Sequence, residues 1–280
     1  IIEKDLEKGF DYRKISVREP REGQRAIIMK ILAIDSSGQT ASVAVWEDDL
    51  TLAEFSIHAK MTHSQTLLPM LEAVREKTEL DMETIDAIAV TSGPGSFTGL
   101  RIGSATVKGF GFALDKPIIP VPTLEGLAYN LYGTDKIVCP LMDARRSQTY
   151  TGLYEFRSKD GTEEYDMNVI KEQCAVAIEE ILEACNEQAC KQGGRGVIFL
   201  GDGVPVFREE IAGLLTVPYG FAPAHMNRQR AAAVAALAAK YYRQGKVQTA
   251  AEYAPEYLRL SQAERERNAQ SEAQASEKTK

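Results

Sequence analysis

Two stretches of this chain repeat one pattern: an apolar strand ending in aspartate, a polar hairpin turn, then a second strand. The pattern occurs at Ile31–Trp46 and again at Ile137–Phe156. Each copy is followed by alternating strand and helix signals, so the sequence predicts a duplicated α/β domain. In the first copy, Ile31–Asp35 and Ala41–Trp46 flank the turn Ser36-Ser-Gly-Gln-Thr40, and Leu50–His58 supplies a third antiparallel strand. A helix over Ser64–Lys77 carries Leu67, Leu71 and Val74 on one face, and Pro69 predicts a kink or a later start. Next come a buried strand at Ile85–Thr91, a helix at Ser96–Leu114, an extended segment at Pro117–Pro122 and a short helix at Thr123–Leu131. The second copy has strands at Lys136–Asp143 and Thr149–Phe156, then a strand at Val197–Leu200 and an Ala-rich helix at Arg230–Tyr242.

The ends read differently. Residues 1–28 are dense in charge, lack a starting Met and show no sustained apolar period, so they are expected to be an upstream or non-native extension before Met29. Two lobes follow, 29–134 and 135–261, and then a polar, disordered tail at 262–280.

Charge limits the partners. With 33 Lys and Arg against 40 Asp and Glu, the net charge is −7. Strong nucleic-acid binding needs a basic surface that releases counterions, so a partner must supply most of any grip on RNA. Cys139, Cys174, Cys185 and Cys190 form no C-x-x-C pair and have no His at zinc-ligand spacing. They read as reduced thiols of a cytoplasmic protein without a metal. No apolar run approaches the roughly 20 residues of a membrane span.

Several motifs carry chemistry. The turn after Asp35, with Ser36, Ser37 and Thr40, has hydroxyls and amides able to cradle phosphate, although an ordinary hairpin uses the same residues. Ser92-Gly-Pro-Gly-Ser-Phe-Thr-Gly-Leu-Arg-Ile-Gly103 follows a strand and opens a helix, but no Gly-Lys-Ser/Thr closes it as a P-loop. Gly99, Gly103, Gly109 and Gly111 together cost that helix on the order of 4 kcal/mol relative to Ala. Gly95, Gly99 and Gly103 share one face, so the cost is offset by close approach of another backbone, within the chain or in a second one. His58 and His63 lie five apart and His225 is remote, which suits surface or capping roles. Asp143-Ala-Arg145-Arg146 reads as a local ion pair or as a phosphate or carboxylate contact. Gly201-Asp-Gly203 presents a carboxylate at a strand end or forms a plain turn. No G-x-S-x-G and no arranged Cys–His pair is present, so no catalytic residue is assigned.

Four runs, in order and spacing, resemble the TsaB (YeaZ) family from Met29 to about Leu260. They are Ile31-Leu-Ala-Ile-Asp-Ser-Ser37, Thr62-His-Ser64, Thr91 through Gly103, and Met142-Asp-Ala-Arg-Arg146. The resemblance implies an actin/Hsp70-like (ASKHA) α/β fold of two duplicated lobes with mixed sheets. It also implies a non-catalytic, activating role in forming threonylcarbamoyladenosine on tRNA. In such systems TsaD is the catalytic subunit and holds metal and nucleotide, while the ATPase TsaE joins it; tRNA is reached through the complex. TsaB proteins pair with TsaD, or as homodimers, through their first two helices. That places a partner interface at Leu67, Leu71, Val74, Gly95, Ser96, Phe97, Gly99, Arg101 and Gly103. Asp35, Ser36, Ser37 and Thr40 then form a vestigial nucleotide turn, with no cofactor and at most weak ATP or ADP binding. Asp143 and Arg145 are expected on the side toward TsaE. Asp11-Tyr-Arg-Lys-Ile15 resembles the end of TsaE proteins, which suggests read-through of a neighbouring frame. The competing reading is an ATP-dependent small-molecule kinase or ATPase using Asp35. A glycoprotein peptidase would need a nucleophile or zinc set that the motifs above do not supply.

Overall fold

KILAID (Lys30–Asp35, β1) is buried on both faces from Ile31 onward, so it has to be an interior strand. The computed structural model describes residues 29–259 except 160, 161 and 163; the expectations for 1–28 and 262–280 lie outside these residues. β1 pairs antiparallel with β2 (Thr40–Glu47), and β2 pairs antiparallel with β3 (Leu50–His58). On its other side β1 runs parallel to β4 (Ala87–Gly93), which runs parallel to β5 (Ile118–Pro122). The order is β3-β2-β1-β4-β5.

The second sheet repeats this arrangement strand for strand. β6 (Ile137–Asp143) pairs antiparallel with β7 (Gln148–Ser158), and β7 with β8 (Tyr165–Ala177). β6 runs parallel to β9 (Val197–Leu200), and β9 to β10 (Tyr219–Phe221). Helices recur at matching places: α1 (His63–Thr78) and α4 (Ile178–Lys191) after the third strands, α2 (Phe97–Leu114) and α5 (Arg208–Leu214) after the fourth. α3 (Thr123–Ala128) and α6 (Ala231–Arg243) follow the fifth. This is the duplicated α/β, actin-like architecture with two mixed sheets.

Three differences from the sequence reading matter. α1 starts at His63 and continues through Pro69, so the proline does not delay the start. β8, α4, α5 and β10 were not anticipated. Last, residues 135–261 do not close as one unit. α6 buries Ala231, Val234, Ala235, Leu237 and Ala238 in the core that holds Ile31, Ala33, Ala44 and Ala89 of the first sheet. Its small side chains let the helix lie close to that sheet. A strap over residues 248–259 then crosses the first lobe: Ile118 and Gln248 exchange backbone hydrogen bonds of 2.8 Å, and the Glu256 amide donates to the Ser92 carbonyl at 2.7 Å. Among the described residues, no helix is long and apolar enough to cross a membrane.

Candidate functional site

The two Asp-ended hairpins meet across a cleft of about 1060 Å³, lined by Ser37, Gly38 and His63 from the first lobe and Asp143, Arg145, Asp202 and Arg228 from the second half of the chain. The first turn is enclosed. Asp35 is buried, and its Oδ1 accepts from the Ser37 amide at 2.9 Å, the Ser37 hydroxyl at 2.7 Å and the Thr91 hydroxyl at 3.1 Å. Burial raises its pKa, partly opposed by those bonds and by nearby His63. The Ser36 hydroxyl donates to the Gly99 carbonyl at 2.9 Å, and Thr40 Oγ1 lies 3.0 Å from His58 Nδ1. His63 Nε2 sits 2.8 Å from the Gly38 carbonyl, so that nitrogen carries the proton. Its buried Nδ1 has no hydrogen-bond partner among the described residues.

The glycine face of α2 explains the enclosure. A Cβ on Gly95 would lie 2.3 Å from the Ser37 carbonyl oxygen, and one on Gly99 would lie 2.1 Å from that of Ser36. A Cβ on Gly103 would lie 2.3 Å from Ser36 Oγ. Close approach is therefore internal: the helix is seated directly on the β1–β2 turn. Ser96 caps it, its hydroxyl accepting from the Gly99 amide at 3.2 Å.

This placement corrects the residue set expected for a partner interface. Leu67, Leu71 and Val74 are buried in the core of their own lobe, and Gly99 and Gly103 face Ser36, so these five are closed to a second chain. Ser96 and Arg101 are exposed, and Gly95 and Phe97 are half-buried. Phe97 already stacks on Tyr257 of the strap, with ring centroids 4.7 Å apart, and the Arg101 guanidinium lies 4.0 Å over the Phe97 ring. The outward faces of α1 and α2 instead carry Leu68 and Phe112, 54% and 64% exposed.

In the second lobe, Asp143 Oδ1 accepts from the Arg145 amide at 2.8 Å, and Oδ2 lies 3.2 Å from the Arg145 guanidinium. The ion-pair reading of Asp143-Ala-Arg-Arg146 thus describes Arg145, while Arg146 points outward. The Gly201-Asp-Gly203 motif does both things proposed for it. Its glycines allow close approach to Leu141, where a Gly201 Cβ would lie 2.1 Å from the Leu141 carbonyl oxygen. Asp202 meanwhile reaches the cleft and accepts from the Asp143 amide at 3.3 Å. Burial raises the Asp202 pKa, opposed by that bond and by Arg228. Among the described residues, no three His, Cys, Asp or Glu side chains converge as a metal set. Asp35, Ser36, Ser37 and Thr40 do come together, but with their side chains already bonded within the protein. Gln229 is a residue the sequence gives no signal for, an isolated Gln in a loop: it is buried and sits against Gly38.

Known proteins match this chain in sequence and in shape. A family model described as "TsaD: tRNA N6-adenosine threonylcarbamoyltransferase" matches residues 57–267. The tRNA threonylcarbamoyladenosine biosynthesis protein TsaB of Bacillus subtilis is 34% identical over 239 residues, covering 84% of this chain and 96% of that protein. The Escherichia coli TsaB is 34% identical over 136 residues, 48% of this chain and 58% of its own length. A solved structure of YeaZ from Pseudomonas aeruginosa superposes with a TM-score of 0.68 at 25% identity, covering 82% of this chain and all of that one. The family model is named for the transferase, whereas the relative matched along nearly its whole length is a TsaB protein. The chain therefore belongs to the TsaB (YeaZ) family, within the wider group that the TsaD-type model describes.

Proposed function

We propose that this chain works in tRNA threonylcarbamoyladenosine biosynthesis as a non-catalytic subunit that docks on a TsaD-type transferase, with the ATPase TsaE joining the pair. The family supports the pathway, since relatives that match it are named for that biosynthesis. The observation that carries the non-catalytic part is the closed β1–β2 turn. Every side chain that would have to bind phosphate there is bonded to the protein or packed beneath α2. The net charge of −7 supports reaching tRNA through a partner. The exposed Leu68 and Phe112 on α1 and α2 support docking along those helices, beside a shallow groove lined by Leu68, Glu72, Arg75, Met82 and Phe110.

The test is reconstitution of the modification with TsaD, TsaE, the threonylcarbamoyl donor system and tRNA, omitting only this chain. The expected result is loss of modified adenosine, with no ATP hydrolysis by this chain alone. Undiminished modification would overturn the proposal. A second reading, an ATP-dependent small-molecule kinase or ATPase, is favoured by the size of the cleft and its Asp143 and Asp202 carboxylates. It would require ATP turnover by the isolated chain that Asp35→Ala abolishes.

A further inference from the structure

Between the two hairpins lies one side chain that belongs to neither. Gln229 comes from the segment that returns from β10 to α6, and it is 2% exposed. Its carboxamide is pressed against Gly38: a Cβ built there would lie 2.5 Å from Nε2, 2.7 Å from Cδ and 2.9 Å from Oε1. On its other side Nε2 meets Met142 Sδ at 3.7 Å, a weak acceptor and the one hydrogen-bond partner that this carboxamide has among the described residues. A sulfur is a weak acceptor for a carboxamide, so this contact holds Gln229 in place only loosely.

The turn beneath it has unused capacity. Gly38 is buried, and among the described residues no group accepts from its amide, although the neighbouring Ser37 amide is bonded to Asp35. A buried backbone N–H without an acceptor is rare. A Gly/Ser turn with an available amide is a known kind of anion cradle.

We propose that Gln229 covers the one amide of this turn that α2 and the internal hydrogen bonds leave available, and that removing its side chain opens an anion site for a phosphate or pyrophosphate group at the Gly38 amide. The carboxamide occupies the volume between Gly38 and Met142 that such a group would need. The proposal rests on the reading above that the turn takes no nucleotide in the native chain, and it adds what keeps an anion off the Gly38 amide.

The test compares wild type, Gln229→Ala and Gln229→Leu in the full chain, titrated with inorganic pyrophosphate by calorimetry. Gln229→Ala should bind at least about tenfold tighter than wild type. Gln229→Leu, which keeps the volume filled, should behave as wild type. Adding Gly38→Ala should abolish the gain. It should also destabilise the Gln229→Ala background less than wild type, because the clash with Gln229 is gone. Stability by chemical denaturation gives a readout that does not depend on any ligand. A folded Gln229→Ala chain that binds no better than wild type, or wild type binding as tightly as the variant, would overturn the proposal. Dispensability in the reconstituted reaction would refute the subunit role and leave these binding results unchanged, so the two failures are distinguishable.

Discussion

The two hairpins have the same topology and opposite fates. In the first lobe, the turn after Asp35 is packed under an 18-residue helix whose Gly99 and Gly103 sit on Ser36, while Gly95, just before the helix, sits on Ser37. In the second lobe, the turn after Asp143 is open: Arg145, Arg146 and Ser147 take left-handed φ values of 65°, 57° and 56°, and the Arg145 side chain is 80% exposed. Its counterpart helix, α5, has only seven residues, and the glycines before it pack on Leu141 rather than on the turn. Duplication therefore copied the strand framework, while the length and glycine content of one helix decided which turn became core. The first turn is packed into its lobe, and the second stays exposed to solvent.

The sharpest way to break this comparison is to put a methyl group on the glycine face. Gly99→Ala drives a Cβ to 2.1 Å from backbone that cannot step aside, and should cost about 3 kcal/mol in chemical denaturation. Gly109, on the same helix, has nothing within 4 Å of its missing Cβ. Gly109→Ala should therefore stabilise by about 0.8 kcal/mol through helix propensity alone. If both substitutions behaved alike, α2 would not be seated on the turn.

A smaller effect tests the buried carboxyl. Asp35→Asn keeps an acceptor oxygen, so its cost at neutral pH should be about 1 kcal/mol. The folded pKa of Asp35 lies above 3.8, so the native state prefers the protonated form. The charged form penalises folding above the folded pKa, and that penalty is relieved as pH falls through it toward 3.8. Wild type should therefore gain on Asp35→Asn as pH is lowered, in urea unfolding across acidic pH. A constant difference would mean that burial does not perturb this carboxyl.

The smallest effect belongs to the open turn. Arg146→Gly relieves a left-handed residue and should stabilise by about 0.5 kcal/mol, net of the added freedom of the unfolded chain. A loss of stability would show that the Arg146 side chain supports the turn, which would bring the two hairpins closer in character.

Much of this was legible in the sequence. Both hairpins, the strand ends at Asp35 and Asp143 and the glycine face of α2 follow from short-range pattern, because each is built from neighbours along the chain. α4 does carry a helical signal in the sequence, with buried residues at Ile178, Ile181, Leu182, Cys185 and Ala189. β8 did not: it is an edge strand, half-exposed along its length, so its polar residues break the alternation. Long-range placement was least legible. Nothing in the alanines of α6 says which sheet they cover, and nothing around Gln229 says that it meets Gly38. The burial of Leu67, Leu71 and Val74 in their own lobe was illegible for a related reason, since an apolar helical stripe looks the same whether it faces its own core or a partner.

The return of α6 to the first sheet has a consequence for how the protein is made. On the ribosome β1 to β5 emerge first, but the helix that covers their inner face is encoded after every strand of the second sheet. The lobe that begins first is therefore finished last. Its apolar face must wait, uncovered, while the second lobe is synthesised. During that interval it is the part of the nascent chain most exposed to misassociation and most in need of chaperone cover.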